Sequence, residues 1–349
     1  MMVNDAPTHD FLDYALSHQF GDLHFKVDPK TGMKAIIAIH STKLGPALGG
    51  CRFIEYPDTN TAINDAMRLA RGMSYKAASV NLPLGGGKSV IIKPSHAYDR
   101  DAYLHAFGEF IEELGGRYIT ALDSGTELRD MDIIAQHTPH VASLSIHNGD
   151  PSPYTAKGIV RGIQAAVEFK LGKQSFAGLH IALQGVGHVG YLIAEQLHQM
   201  GAQLTVADID SAHLERAVKN FGANVVNTAD IHKIPCDVFS PCALGAVLNS
   251  QSIPELQTTI VAGAANNQLE HRHHGQSLHE KGILYATDYV INAGGLIFAA
   301  SKYLHTPQEQ VDQQIEHIYQ SLTEIFTLAE RENRPTSDVA DSLAQEKLS

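Results

Sequence analysis

Residues 180–190 read HIALQGVGHVG, and this stretch decides the fold. His180 to Leu183 has the length and apolar character of a buried strand, and Gly185, Gly187 and Gly190 follow it in GxGxxG spacing. The spacing alone is a weak signal. Its surroundings strengthen it, because Tyr191 to Gln199 is helix-forming and the next apolar run, LTVAD, closes on Asp208. Glycines at these places allow a tight turn and let a diphosphate approach backbone N–H groups at a helix start, so Gly185, Val186, Gly187, His188, Val189 and Gly190 are the expected cofactor loop. Asp208 would accept hydrogen bonds from a ribose 2′-hydroxyl and repel a phosphate in its place, which predicts NAD over NADP. The blander reading, a tight strand-to-helix turn and nothing more, has to treat the agreement of strand, spacing and acid as chance.

Working outward, the same alternation continues on both sides. Leu204 to Ala207, Val238 to Ser240, Ile260 to Ala262 and Ile283 to Ala286 are further strand-length apolar runs, each separated by a plausible helix. Upstream, PSPYTAKGIVRGIQAAVEF reads as a long helix from Pro151. Earlier still, Lys34 to His40 (KAIIAIH), Ser89 to Ile92 and Arg117 to Ala121 read as strands. Residues 10–17, a stretch ending at about Lys76 and residues 101–114 read as helices, with Gly45 to Gly50 as a turn-rich loop. These patterns predict an α/β protein of two domains with a cleft between them. Residues 1–145 would form a substrate and oligomerisation domain with a mostly parallel sheet, residues 146–324 a Rossmann domain, and the helices of 325–349 would pack back on the first.

At 349 residues the chain is long enough for two cores, and 44% hydrophobic against 18% charged residues is a globular composition. The net charge of −12 argues against a surface built for nucleic acid and favours a small-molecule partner. Cys51, Cys236 and Cys242 form neither a disulfide framework nor a CxxC metal pattern, which suits a reducing cytoplasm. No secretory signal and no membrane span is expected from the hydropathy pattern.

The chemistry-bearing residues lie in the first half. In RGMSYKAASVNLPLGGGKSVIIKP, Lys76 falls near a helix end, and Lys88 is wedged between three glycines and the apolar run Val90 to Ile92. Desolvation there would lower the lysine pKa toward neutrality and suit it to general base work. Asp123, in YITALDSGT, lies at a strand terminus ahead of a Gly125 turn. That position serves a turn-former as readily as a functional acid.

These residues carry a resemblance. The stretches GPALGGCRF, RLARGMSYKAA, LGGGKSVII, YITALDSGTELRDMDII, PSPYTAKGIVRG, SPCALGAVLN, AGAANNQLE and YVINAGGLI, with the cofactor loop, are similar to those of the Glu/Leu/Phe/Val dehydrogenase family, in order along nearly the whole chain. The resemblance implies that Lys76 pairs with a substrate α-carboxylate and that Lys88 and Asp123 are the acid–base pair. Gly49 and Gly50 would let the carboxylate approach the backbone, and Thr155, Ala243, Asn266 and Asn267 would line the nicotinamide end. It further implies a homo-oligomer that oxidises an L-amino acid to a 2-oxo acid and ammonia. The side-chain pocket falls on Leu48, Ala121, Ala142 and Leu296. Ala121 resembles the branched-chain enzymes, while Leu296 resembles the phenylalanine type, so leucine, valine and isoleucine are expected first and phenylalanine second.

Three further readings are weighed against this one. His271, His273, His274 and His279 are read as the solvated face of a helix, so no metal is expected. Cys242 is read as packing. A regulatory module that binds NAD without turnover would leave both lysines and Asp123 without a reason to occur together.

Overall fold

The computed structural model describes residues 11–147 and 149–349, and these divide into two compact units. The first takes the described residues up to Gly149 together with Ala299–Pro307 and Ala344–Ser349; the second takes Asp150–Phe298 and Gln308–Leu343.

In the first unit the order is α1 (Phe11–Ser17), β1 (Asp22–Val27), β2 (Lys34–Ser41), β3 (Ala47–Ile54), α2 (Thr59–Ser79), β4 (Gly85–Ile92), α3 (Arg100–Glu113), β5 (Tyr118–Leu122) and α4 (Leu128–Ile134). The strands lie in the order β1-β2-β4-β3-β5. The sheet is mixed: β3 runs parallel to β4 and β5, whereas β1–β2 and β2–β4 are antiparallel. The short turn at Asp28, whose carboxylate accepts from the Thr31 N–H at 3.0 Å, leaves β1 and β2 no geometry but a hairpin. Alternation along the strands covers both faces. Ile36, Ala38 and Val90 pack beneath Ala62, Ile63, Ala66, Met67 and Ala70 of α2. On the opposite face Ile37, Ile39, Cys51, Phe53 and Ile91 meet Leu104, Phe107 and Ile111 of α3 with Met131 and Ile134 of α4.

Two stretches expected to be loops are strands. Gly45 to Gly50 was expected as a turn-rich loop, yet β3 starts at Ala47; Lys88 was expected just ahead of a strand, yet it lies inside β4. Glycine weakens a strand unless something else fills its side-chain space. Here a Cβ at Gly86 would strike the Ser74 backbone of α2, and one at Gly87 would meet the Tyr118 ring at 2.8 Å. Close packing of helix and ring therefore outweighs the poor intrinsic strand preference.

The second unit contains α5 (Ser152–Leu171), β6 (His180–Gln184), α6 (His188–Gln199), β7 (Gln203–Ala207), α7 (Ser211–Phe221), β8 (Asn224–Val225) and β9 (Cys236–Pro241). It continues with α8 (Ser252–Glu255), β10 (Thr258–Val261), α9 (His273–Glu280), β11 (Leu284–Tyr285), α10 (Asp288–Ile291), α11 (Gly294–Tyr303), α12 (Gln308–Glu332) and α13 (Thr336–Leu348). The last residues of α11 and of α13 are counted in the first unit. All six strands are parallel in the order β11-β10-β9-β6-β7-β8. Winding thus reverses between β6 and β9, and such a reversal opens a crevice at the carboxyl ends of the two strands.

Helix α12 packs along α5. Gly158 and Gly162 of α5 admit Ile318 and Leu322, and Lys157–Asp312 and Arg161–Glu316 pair at 2.7 and 2.6 Å. Residues 325–349, expected on the first half, accordingly divide, with only Ala344–Ser349 grouped there. Among the described residues no helix is long and apolar enough to cross a membrane.

Candidate active site

Strand register gathers several of the expected residues on one sheet face. Residues paired in register project to the same side, and β3 pairs Leu48 with Gly86 and Arg52 with Val90. Lys88 lies midway between Gly86 and Val90, so it shares the face that Leu48, Gly50 and Arg52 occupy on β3. Gly50 is in turn paired with Ala121 of β5. Ala142 N–H donates to the Thr120 carbonyl at 2.8 Å, which brings Ala142 beside Ala121 at the sheet edge. Leu48, Ala121 and Ala142 are all buried, as is Lys88 at 6% exposure.

Asp123 stands one residue beyond β5, in a turn bonded to β3. Its N–H donates to Thr126 Oγ1 at 3.0 Å, Thr126 Oγ1 donates to the Cys51 carbonyl at 3.1 Å, and Phe53 N–H donates to the Ser124 carbonyl at 2.9 Å. So fixed, Asp123 Oδ2 forms an ion pair with Lys88 Nζ. Desolvation pulls the Lys88 pKa down; the attraction of Asp123 opposes this without cancelling it. Burial would raise the Asp123 pKa, but the Lys88 ammonium and then Arg52 override it, and the carboxyl ends below its ordinary value. The pair therefore holds a poised ammonium beside a carboxylate.

Sequence reasoning missed the residue that extends this pair. Arg52 Nε donates to Asp123 at 3.2 Å and its Nη1 to Asp65 at 2.7 Å, while Tyr56 OH and Arg68 also reach Asp65. The signal was an arginine at an inward-alternating position of CRFIEY and an acid on the apolar face of α2. Behind the glycines, the buried Tyr118 hydroxyl donates to the Gly49 carbonyl at 2.6 Å and lies 2.9 Å from Ser89 Oγ.

Lys76 projects from the last turn of α2, two residues beyond Ser74, where the helix touches Gly86. Gly49 and Gly50 are themselves packing glycines. A Cβ at Gly49 would strike the Gly87 carbonyl, and one at Gly50 would meet the Leu122 carbonyl at 2.7 Å. Leu296 lies on α11, within the second unit.

In the second unit the glycine loop leaves β6 at the winding reversal. Gly185 has φ +96°, a Cβ at Gly190 would strike the Gly185 carbonyl, and Gly187 is the N-cap of α6. Above Gly187 the space is open, the nearest atom being 3.8 Å away on His213. A groove of about 1020 Å³ runs past Gly185, Gly187, Asp208, His213, Lys233 and Ala243. Asp208 accepts from Val186 N–H at 2.8 Å and Asp210 N–H at 2.9 Å. Burial works against its charge, yet these two donors keep its pKa low. Each carboxylate oxygen retains a lone pair for a ribose hydroxyl, so loop, helix start, acid and groove fit a dinucleotide.

Around that groove, Val186 is buried, Val189 half-buried, and the His188 imidazole stands 2.5 Å from Asp150. Ala243 closes on Gly185, to whose Cβ position it comes within 2.8 Å, and Thr155 Oγ1 donates to the Pro151 carbonyl at 3.1 Å. Asn266 Oδ1 accepts from Asn292 at 2.8 Å; Asn267 has φ +53°, and its Oδ1 is buried with no hydrogen-bond partner among the described residues.

The histidine run corrects one expectation. His274 is not solvated but 1% exposed, accepting the His271 N–H at Nδ1 (3.0 Å) and facing Ser250 Oγ through Nε2 at 3.0 Å. It ties the turn ahead of α9 to the loop before α8. Cys242 is half-buried beside the loop, its N–H donating to the Gln184 carbonyl at 2.7 Å.

A doubly wound parallel sheet with a dinucleotide groove, joined in one chain to a mixed sheet that buries a lysine–carboxylate pair, defines an amino-acid dehydrogenase acting on CH–NH2 donors. The chain belongs to the Glu/Leu/Phe/Val dehydrogenase family: residues 18–140 match the Glu/Leu/Phe/Val dehydrogenase dimerisation domain, and residues 208–349 match Glutamate/Leucine/Phenylalanine/Valine dehydrogenase. It is 46% identical over 342 residues to the leucine dehydrogenase of Geobacillus stearothermophilus, covering 97% of this chain and 93% of that one. It is also 46% identical over 319 residues to the L-tryptophan dehydrogenase of Nostoc punctiforme, covering 91% and 90%. The crystal structure of L-tryptophan dehydrogenase from Nostoc punctiforme superposes with a TM-score of 0.89 at 41% identity over 97% of this chain and 98% of that one. The reaction is the NAD(P)-dependent oxidative deamination of an amino acid.

Proposed function

We propose that this chain oxidatively deaminates leucine, valine and isoleucine with NAD, using Lys88 and Asp123 as its acid–base pair. The observation that supports this most is the buried Lys88–Asp123 ion pair, on the sheet face where Leu48 and Ala121 offer an apolar wall. Lys76 binds the α-carboxylate, which selects an α-amino acid over a simple amine. Asp123 takes a proton from the amino group, readying Cα to lose its hydrogen. NAD, held by the loop from Gly185 to Gly190 and by Asp208, supplies the hydride acceptor when bound, with Thr155, Ala243, Asn266 and Asn267 toward its nicotinamide end. Once Asp123 is neutralised the Lys88 ammonium loses the charge that stabilises it and releases its proton to solvent, and the free amine then takes a proton from the water that attacks the substrate iminium carbon. Its ammonium then faces the oxygen as the carbonyl forms, and Asp123 returns its proton to the departing ammonia.

The buried apolar side chains of Leu48, Ala121 and Ala142 offer no cation for a side-chain carboxylate, which disfavours glutamate. An aromatic substrate is the second reading, favoured by Leu296 and by the likeness to a tryptophan dehydrogenase. Initial rates at 340 nm with leucine, phenylalanine and tryptophan decide between them by kcat/KM. Lys88→Ala is expected to lose about 10³-fold or more in kcat, the combined scale of proton transfer and oxyanion stabilisation. Unchanged turnover would remove Lys88 from the chemistry. The match of residues 18–140 to a dimerisation domain supports a homo-oligomer, which light scattering measures directly, and the free Cys51, Cys236 and Cys242 suit a cytoplasmic setting.

A further inference from the structure

The last turn of a helix leaves carbonyls without intrahelical partners and frays readily, and Lys76 sits in the last turn of α2. A cation meant to hold a carboxylate needs that turn fixed. Part of the fixing is local, since Ser79 Oγ donates to the Lys76 carbonyl at 2.8 Å. The remainder comes from α13, nearly 270 residues further along the chain. Lys347 Nζ donates to the Ala78 carbonyl at 3.1 Å and to Asn81 Oδ1 at 2.8 Å, where Asn81 turns the chain at φ +54°. On the other side of Lys76, Gln345 Nε2 donates to the buried Tyr75 hydroxyl at 2.8 Å, and the Arg71 guanidinium reaches the same oxygen at 3.3 Å. The contacts from α13 thus bracket Lys76, falling on the residue before it and on the residues two and five beyond it. An ammonium at a helix carboxyl end is also favourably placed in the dipole field.

We propose that Gln345 and Lys347 are positioning residues for Lys76, holding the end of α2 so that its ammonium meets the substrate α-carboxylate. The inference rests on the substrate-binding reading of Lys76. If the two side chains only sealed a helix end, their loss would lower stability and touch all kinetic constants alike. A positioning role makes a narrower demand: affinity for the carboxylate falls while the chemical step and cofactor binding stay as they were.

The test is steady-state kinetics on the full chain with NAD and leucine, together with inhibition by 4-methylpentanoate, which carries the carboxylate but no amino group. For the double variant Gln345→Ala/Lys347→Met, the amino-acid KM and the inhibitor Ki are expected to rise together by about fivefold, the worth of one charge–dipole contact. Over the same measurements kcat stays within about twofold and the KM for NAD does not move. Lys347→Arg, which keeps the cation, is expected to restore most of the loss. Lys76→Ala serves as the reference and should raise both constants further. An unchanged KM in the double variant beside a raised KM in Lys76→Ala overturns the positioning role alone. An unchanged KM in Lys76→Ala overturns the carboxylate reading, and the positioning role with it. A parallel fall in kcat, both affinities and thermal midpoint shows a structural seal and also overturns it.

Discussion

Arg52 donates through Nε to Asp123 at 3.2 Å, so Lys88 and Arg52 both bear on one carboxylate oxygen. Arg52 helps depress the Asp123 pKa and, as a like charge, also depresses that of Lys88. Replacing it with methionine should raise both. The acidic and basic limbs of the kcat/KM profile against pH are then expected to move upward together. At neutral pH activity should fall by about 10- to 100-fold, the worth of one charged hydrogen bond. Limbs that stay in place would show that Arg52 has no electrostatic hold on the pair.

His40 makes stability depend on acid. It is buried, its Nε2 faces the His18 carbonyl at 3.1 Å, and its Nδ1 has no hydrogen-bond partner among the described residues. Burial first, then the nearby Arg71 charge, lowers its pKa from 6.5 to about 4. The folded state holds the ring neutral, so its contribution is complete above pH 6.5 and is lost as pH falls toward about 4, a difference of about 3 kcal/mol. Urea unfolding at pH 7 and pH 4.5 should show this loss, and His40→Phe should flatten that part of the profile. A variant with the same slope would assign the acid sensitivity elsewhere.

Asp208 holds the loop, since Val186 and Asp210 both donate to it, in addition to its proposed role toward the cofactor ribose. An asparagine at this position keeps one acceptor and leaves one of those N–H groups unmatched. Asp208→Asn is expected to raise the KM for NAD by roughly tenfold and to cost about 1–3 kcal/mol of stability. Turnover with NADP should be far weaker than with NAD in the unaltered chain, and the gap should narrow in the variant. Equal use of both cofactors by the unaltered chain would defeat the assignment.

Ala121 is paired with Gly50 and neighboured by Ala142, and on the proposed reading its methyl group sets the depth of the side-chain pocket. Glycine there is expected to shift the ratio of kcat/KM for phenylalanine over leucine upward by about tenfold, the effect of a small volume change in an apolar pocket. Competition assays with both amino acids read the ratio directly. A ratio that does not move would place the selecting wall elsewhere.

The sequence carries strong signals where periodicity and composition agree. The apolar stripe of α2, the β6–loop–α6 passage and the strand just ahead of Asp123 all follow from local spacing, and the structure has each of them. The glycine strands did not follow, because local preference argues against them and the compensating contacts, Ser74 on Gly86 and Tyr118 on Gly87, come from elsewhere in the chain. Arg52 escaped for a similar reason: its link to Asp65 exists only once β3 lies along α2. β1 lacks a clean apolar alternation and is secured by its hairpin partner. His274 reads as surface by residue type but is drawn inward by Ser250 and the His271 N–H.

The close seating of α2 and Tyr118 against the glycines of β4 leaves the strand that bears Lys88 no freedom to accept new side chains at 86 or 87. On the proposed reading of the pocket, any drift in substrate taste is then written on other segments, at Leu48, Ala121, Ala142 or Leu296. Under the proposed function, mutation can retune the pocket while the strand that bears Lys88 stays frozen.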